Sequence, residues 1–287
     1  MLNELAELWH FRYLLSVLVK RDLKVRYKNS ALGFVWSIAP TVLQLFVFSF
    51  FFHNVLNVKT QNFSAYVLCG LIPWGFLSAG LLDSSQSLLN NYAIIRKIYL
   101  PREIIPLASV MGNFIHFILA WTVYFVAFFG LAPLIGIHIP ILPTLVWFPF
   151  ITLAMLLFVT GLALWVSALN VFYQDVKFML QTGLVLLFFM FPVIYPIENV
   201  YYNSGTLRAH PWLFKLYQYI PINVIIESYR KTILQPVPRG SFGLPANVLP
   251  VVMNWKALWV CFALSSLIAY TGYWYFNRRK WQFVERP

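Results

Sequence analysis

Apolar residues in this chain run in long blocks, separated by short polar stretches that are mostly basic. Six blocks approach or exceed the ~20 residues an α-helix needs to cross a bilayer: 33–52, 63–82, 104–130, 142–169, 178–195 and 257–276. None has Asp, Glu, Lys or Arg in its central part; one such charge at mid-helix costs roughly 2.5–3.5 kcal/mol on insertion. The pattern predicts an all-α polytopic membrane protein, one domain over 1–287, with six transmembrane helices across 33–276.

Two further segments are apolar without reading as spans. Over 1–32, Leu5, Leu8, Trp9, Leu15, Leu18 and Val19 recur with a roughly helical period among basic residues, and Trp9 and Tyr13 suit the headgroup level. This predicts an N-terminal amphipathic helix lying at the interface. The stretch 13–19 is too short for a cleavable signal and follows Glu4 and Glu7 instead of a basic region. Segment 211–234 contains Lys215, Glu227, Arg230 and Lys231 and is divided by Pro221, so each half is too short to cross. It predicts two short re-entrant helices within the last periplasmic loop, about 198–254, which dip into the outer leaflet and return. An ordinary loop with interfacial helices is the plainer alternative.

Composition agrees with the bilayer. Of 287 residues 60% are hydrophobic and 10% charged, against about 45–50% and about 25% in soluble domains. A net charge of +12 raises the question of nucleic acid, but the basic residues sit beside apolar blocks, which points to anionic lipid. With six spans, one side collects Arg12, Lys20, Arg21, Lys24, Arg26 and Lys28, then Arg96, Lys97 and Arg102, then Lys177, then Arg278, Arg279, Lys280 and Arg286. That is 14 of the 21 Lys and Arg, so this side is expected in the cytoplasm with both termini and the tail 277–287.

Catalytic chemistry is missing. The chain has no GxxxxGK[ST] and no HExxH, so a P-loop and a zincin site are excluded on motif. Cys69 and Cys261 lie inside apolar blocks, with no CxxC or Cys/His spacing. Of His10, His53, His116, His138 and His210 only His116 is well inside a span, and a lone histidine there reads as a packing residue. Asp83 ends a span, and Glu103 and Asp175 lie in loops. The buried acids of an ion-coupled transporter are therefore not visible. No metal or catalytic residues are expected, and the energy is expected to come from another protein.

Four segments are unusually patterned. Residues 21–33 end a basic helix and turn into the first block, where Ser30 can cap the new helix; lipid anchoring explains them equally well. Residues 91–103 predict a short amphipathic helix in which Ile94 and Ile98 share a face, Arg96 and Lys97 point away, and Pro101 ends the helix. Such a helix reads either as a docking knob or as a plain interfacial loop. Residues 169–177 form a tight turn, and 191–196 (Phe191, Pro192, Val193, Ile194, Tyr195, Pro196) form another at the opposite side.

Together these resemble the transmembrane subunit of ABC-2-type polysaccharide exporters, the group handling O-antigen, capsule and teichoic acid. The resemblance covers nearly the whole chain. Arg26, Tyr27, Lys28, Ser30, Leu32, Gly33, Trp36 and Pro40 fit the family's opening pattern, and 95–106 fit its coupling segment. The family's Phe-Arg-Asp turn departs here to Phe172, Tyr173, Gln174, Asp175, and its Asn-Pro to Ile220, Pro221, while 230–234 stay close. The resemblance implies a permease subunit and not an enzyme, in the inner membrane. By that resemblance it would pair with a second copy around a channel and bind two copies of an ABC ATPase that hold ATP and Mg2+. The cargo would be a polysaccharide on a lipid pyrophosphate, with O-antigen favoured. Capsule, teichoic acid, a smaller lipid or drug, a membrane-embedded glycan enzyme and a passive channel are the competing readings.

By the same resemblance, Ile94, Ile95, Arg96, Lys97, Ile98, Tyr99, Pro101, Arg102 and Glu103 would dock the ATPase. Lys20, Arg21, Lys24, Arg26 and Lys28 would meet the pyrophosphate at the cytoplasmic mouth, although attraction to the lipid surface accounts for them too. Aromatics are 19% of the chain, and a sliding glycan wants many weak aromatic contacts. Phe46, Phe50, Phe51, Trp74, Phe76, Phe188, Phe189 and Tyr195 are the channel-lining candidates, against the usual role of membrane aromatics in helix packing and interfacial belts.

Overall fold

The computed structural model describes residues 8–26, 39–51, 63–97, 100–131, 133, 142–205, 209–234 and 253–284. Among these it is helical, with no strand. Helix α1 (Arg12–Arg26) is followed by α2 (Ala39–Phe50), α3 (Phe63–Asn90), the short α4 (Tyr92–Lys97) and α5 (Ile104–Phe125), which a π turn extends to Leu131. A 3-10 turn (Pro143–Trp147) opens α6 (Phe148–Phe172); α7 (Val176–Met190), α8 (Ile197–Asn203), α9 (Pro211–Gln218) and α10 (Pro221–Ile233) come next. Last is α11 (Trp255–Arg279), which closes in a 3-10 turn, Lys280–Val284.

Four of the six predicted spans coincide with helices of spanning length, α3, α5, α6 and α11, each 28 to 30 residues with its terminal turns. At 1.5 Å per residue they reach about 42–45 Å, enough to pass the hydrocarbon and enter both headgroup layers. The other two are apolar but shorter. Helix α2 has 12 residues, and 33–38 of the predicted span lie outside the described residues. Helix α7 has 15 residues. It stops at Met190 because Pro192 disfavours helix in the residue before it, and the Tyr195 hydroxyl then donates to the freed carbonyls of Phe189 (2.9 Å) and Met190 (3.0 Å).

Helix α3 is the centre, with α5, α6 and α10 packed around it. Most of its length is buried, including Leu68, Cys69 and Val67 at 0% exposure. Its interior Pro73 is tolerated because neighbouring helices cover the backbone it frees. Helices α6 and α11 pack along their length, and at Gly161 and Gly272 they approach too closely to admit a Cβ.

Segment 211–234 forms the two short helices expected, with Pro221 in the first turn of α10, where its missing N–H costs nothing. Helix α10 is an interior element: Ile222, Ile225, Ile226, Tyr229 and Ile233 are buried in the main core. Helix α1 does not stand alone. Leu18 and Val19 pack on Ile104 and Ala108 of α5, while Trp9 and Tyr13 remain exposed.

Candidate functional site

Three of the four patterned segments, in their described parts 21–26, 91–97 and 169–177, gather at the end of the bundle formed by α1, α4 and the C-terminal turn. Asn91 lies between α3 and α4. Its amide donates to Ser87 O (2.8 Å) and its oxygen accepts from Arg21 Nη2 (2.7 Å). Arg21 also pairs with Asp22 at 2.7 Å. One helical turn on, Arg26 pairs with Asp83 at 2.6 Å, and Asn113 of α5 donates to the same carboxylate at 2.9 Å. Arg21, Arg26, Asp83, Ser87, Asn90 and Ser109 border a cavity of about 650 Å³ between α1, α3 and α5.

This placement sorts the five predicted pyrophosphate residues. Arg21 and Arg26 face the cavity, each bridged to a carboxylate. Lys20 and Lys24 are exposed and border a second, more apolar recess with Tyr13 and Val17. Lys28 lies outside the described residues. Both partners of the Arg26–Asp83 pair are over a third exposed, so the pair contributes at most about 1 kcal/mol and can exchange for an anionic ligand. We expect Asp83→Asn to leave the protein folded, with a change in melting temperature of no more than a few degrees. A loss of folded protein would mean that the pair is structural.

Helix α4 is a six-residue helix whose Ala93, Arg96 and Lys97 are exposed. Arg96 lies over the Tyr92 ring at 5.5 Å. The expected apolar edge faces inward: Ile94 and Ile95 pack against the chain's own cluster of Leu88, Leu100, Ile105, Phe276 and Phe283. Ile98 and Tyr99 lie outside the described residues. Beyond them Pro101 is buried and Arg102 half-buried, and Arg102 donates to the Lys280 carbonyl. Burial pushes the Arg102 guanidinium below its ordinary range, opposed by the neighbouring Glu103 carboxylate. Glu103 is 0% exposed and pairs with Lys280 at 3.7 Å. Glu103 is thus buried within its own chain, while Ile94 and Ile95 are half-buried against it. The exposed face is Ala93, Arg96 and Lys97.

The turn 173–175 is held from below by Asn170, at 0% exposure. Its amide donates to Ser85 O (2.9 Å) and its oxygen accepts from Lys177 N (3.1 Å). Sequence reading singled out the turn and missed this hinge between α3, α6 and α7. It also missed Asn113. The signal was available, since a lone amide inside an apolar block needs partners.

The aromatic candidates divide as well. Phe46, Phe50, Phe51 and Phe189 are exposed on the outer faces of α2 and α7, with Phe46 and Phe50 stacked at 6.4 Å. Phe188 is half-buried against Trp74 at 5.8 Å. Trp74 and Phe76 are buried in the core, Phe76 on Phe117 at 4.9 Å. Both pack within the chain's main core. Tyr195 caps α7 with its hydroxyl.

Four apolar helices of spanning length, with an amphipathic helix packed against one end of the bundle, define a polytopic helical membrane protein. The ABC-2 type transporter profile matches residues 13–234, and the chain belongs to the ABC-2 type transporter family. Two proteins of Klebsiella pneumoniae named O-antigen export system permease protein RfbA are similar end to end. One is 27% identical over 275 residues, covering 95% of this chain and 94% of its own length; the other is 28% identical over 277 residues with the same coverage. A protein of that name from Myxococcus xanthus is 29% identical over 207 residues, 71% of this chain and 76% of its own.

Proposed function

We propose that this chain is the membrane subunit of an ATP-driven exporter that carries a lipid-pyrophosphate-linked polysaccharide, of O-antigen type, across the inner membrane. The observation that carries the reading is the end-to-end similarity to the two Klebsiella permeases. The geometry fits it. Two copies meet through the outer faces of α2 and α7, whose exposed Phe46, Phe50, Phe51 and Phe189 line the path between them. Six spans place α1, α4 and the tail in the cytoplasm, and α8 to α10 form the re-entrant cap at the outer mouth. Two ABC ATPase subunits, which hold ATP and Mg2+, seat on α4 through Ala93, Arg96 and Lys97. The cavity at Arg21 and Arg26 receives the pyrophosphate, whose charge displaces the carboxylate partners.

The test is reconstitution. Co-expressed with the ATPase from its own source, the chain should purify as a complex and move lipid-linked glycan in liposomes only with ATP. No nucleotide-binding partner, or flux without ATP, would sink the reading. Within that complex Arg96→Glu should lower export about tenfold or more, since a like-for-opposite charge exchange at an interface costs several kcal/mol. Unchanged export would remove α4 from the docking surface.

A further inference from the structure

The contacts of the C-terminal turn Lys280–Val284 are out of proportion to its five residues. Phe283 is 3% exposed and sits in the cluster that seats α4, beside Leu88, Leu100 and Ile105. Its ring meets Phe276 of α11 at 5.2 Å and Phe172, at the end of α6, at 5.7 Å. Lys280 reaches the other way. Its ammonium pairs with the buried Glu103 at 3.7 Å and its carbonyl accepts from Arg102. Arg102 also lies over the Trp281 ring at 5.9 Å. One residue earlier, Arg279 lies over Phe172 at 5.2 Å and Tyr275 at 4.9 Å. The turn thus joins the strap behind α4, the end of α6 and the end of α11.

We infer that the C-terminal turn positions the ATPase-docking helix and carries its displacement into α11, with Lys280 and Phe283 as the positioning residues. The inference rests on the docking role proposed for α4. The physical reason is stiffness. The carboxylate of Glu103 has no exposure to water, so no solvent can replace the Lys280 ammonium if the two part, and separating them is costly. The aromatic contacts around Phe283 are close-packed and transmit displacement instead of absorbing it. A push on α4 therefore moves Pro101–Glu103 and α11 together. Helix α11 runs the depth of the bundle, and at its other end Cys261 touches Pro221 O at 3.5 Å, the first residue of α10. A movement received at one end is thereby delivered to the helix at the opposite one.

The experiment uses the full permease with its ATPase. Lys280→Met should leave the ATPase bound in the same ratio and basal ATP hydrolysis within about twofold, while export falls about tenfold, the loss expected of a broken coupling between sites. Phe283→Ala should do the same. Lys280→Arg should keep export, and Glu103→Lys with Lys280→Glu should recover most of what either change alone removes. Normal export in both Lys280→Met and Phe283→Ala overturns the inference. So does a parallel loss of assembly, hydrolysis and export that Lys280→Arg fails to rescue, since that marks a purely structural role. A second measurement needs no ATPase: in the purified permease, the melting-temperature losses of Glu103→Gln and Lys280→Met should be non-additive. Additive losses would overturn the contact itself. A permease that shows this non-additivity and still binds no ATPase would instead refute the proposed function.

Discussion

Replacing Arg230 with methionine is expected to destabilise the permease by about 3–5 kcal/mol, since it leaves several buried carbonyls without a donor at roughly 1–3 kcal/mol each. The guanidinium is 2% exposed and gathers the far end of the bundle. It donates to the carbonyls of Pro192 (2.7 Å), Val193 (2.5 Å), Tyr195 (3.2 Å) and Tyr66 (3.3 Å), and to Glu227 at 3.1 Å. It also covers the Tyr66 ring at 4.0 Å. The turn after α7 has few ladder bonds of its own, so its carbonyls depend on this side chain. Methionine keeps much of the volume and supplies no donor, which leaves those oxygens buried and unpaired. Lys231, 3.4 Å from Glu227, still balances the carboxylate, so the loss should be local to the 191–196 turn. Arg230→Lys should recover only part, because one ammonium has three donors and cannot reach the set a planar fork spans. Melting temperature of the purified permease, with protease sensitivity near 191–196, checks both. A methionine variant that melts like the parent would show that the carbonyls find other partners.

The apolar blocks made α3, α5, α6 and α11 legible because a bilayer demands length and lack of charge, and both can be read from one sequence. Pro221 divided α9 from α10 as expected for the same local reason. What stayed hidden was pairing across the chain. Arg230 reads like any basic residue near a helix end, and only the fold brings the turn at 191–196 to within reach of it. Glu103 looks like an exposed loop acid because its partner, Lys280, lies 177 residues further along the chain. Trp74 and Phe76 were chosen by type, and type does not tell a packing face from a channel face in a helix that is apolar all round. For α4, periodicity put Ile94 and Ile98 on one face with Arg96 and Lys97 pointing away, and Ile98 lies outside the described residues. It did not reveal that Ile94 and Ile95 pack against a cluster to which distant segments contribute Phe276 and Phe283.

Gly161→Leu should prevent folded protein from accumulating, because no side chain nearby can yield. A Cβ at Gly161 would lie 2.5 Å from the carbonyl carbon and oxygen of Ile268 and the nitrogen of Ala269, all backbone of α11. From the other side, a Cβ at Gly272 would meet the Gly161 carbonyl oxygen and lie 3.0 Å from Trp165 Cδ1. Small residues let membrane helices approach this closely, and the approach supplies the dispersion contacts that hold them where no hydrophobic effect operates between helix and lipid. Forcing α6 and α11 apart would also pull Trp165 from Tyr275, stacked at 4.1 Å. Overpacking of a core costs about 1–3 kcal/mol and occasionally more; here the neighbour is main chain with no rotamer to change, so the cost should exceed that range. Because α11 carries the turn that braces α4, the damage should reach the docking end as well. Gly75→Ala is the control. No heavy atom lies within 4 Å of its added Cβ, and alanine is the better helix former by about 1 kcal/mol, so it should melt at or slightly above the parent temperature. Folded, exporting Gly161→Leu protein would mean that α6 and α11 do not meet at these glycines.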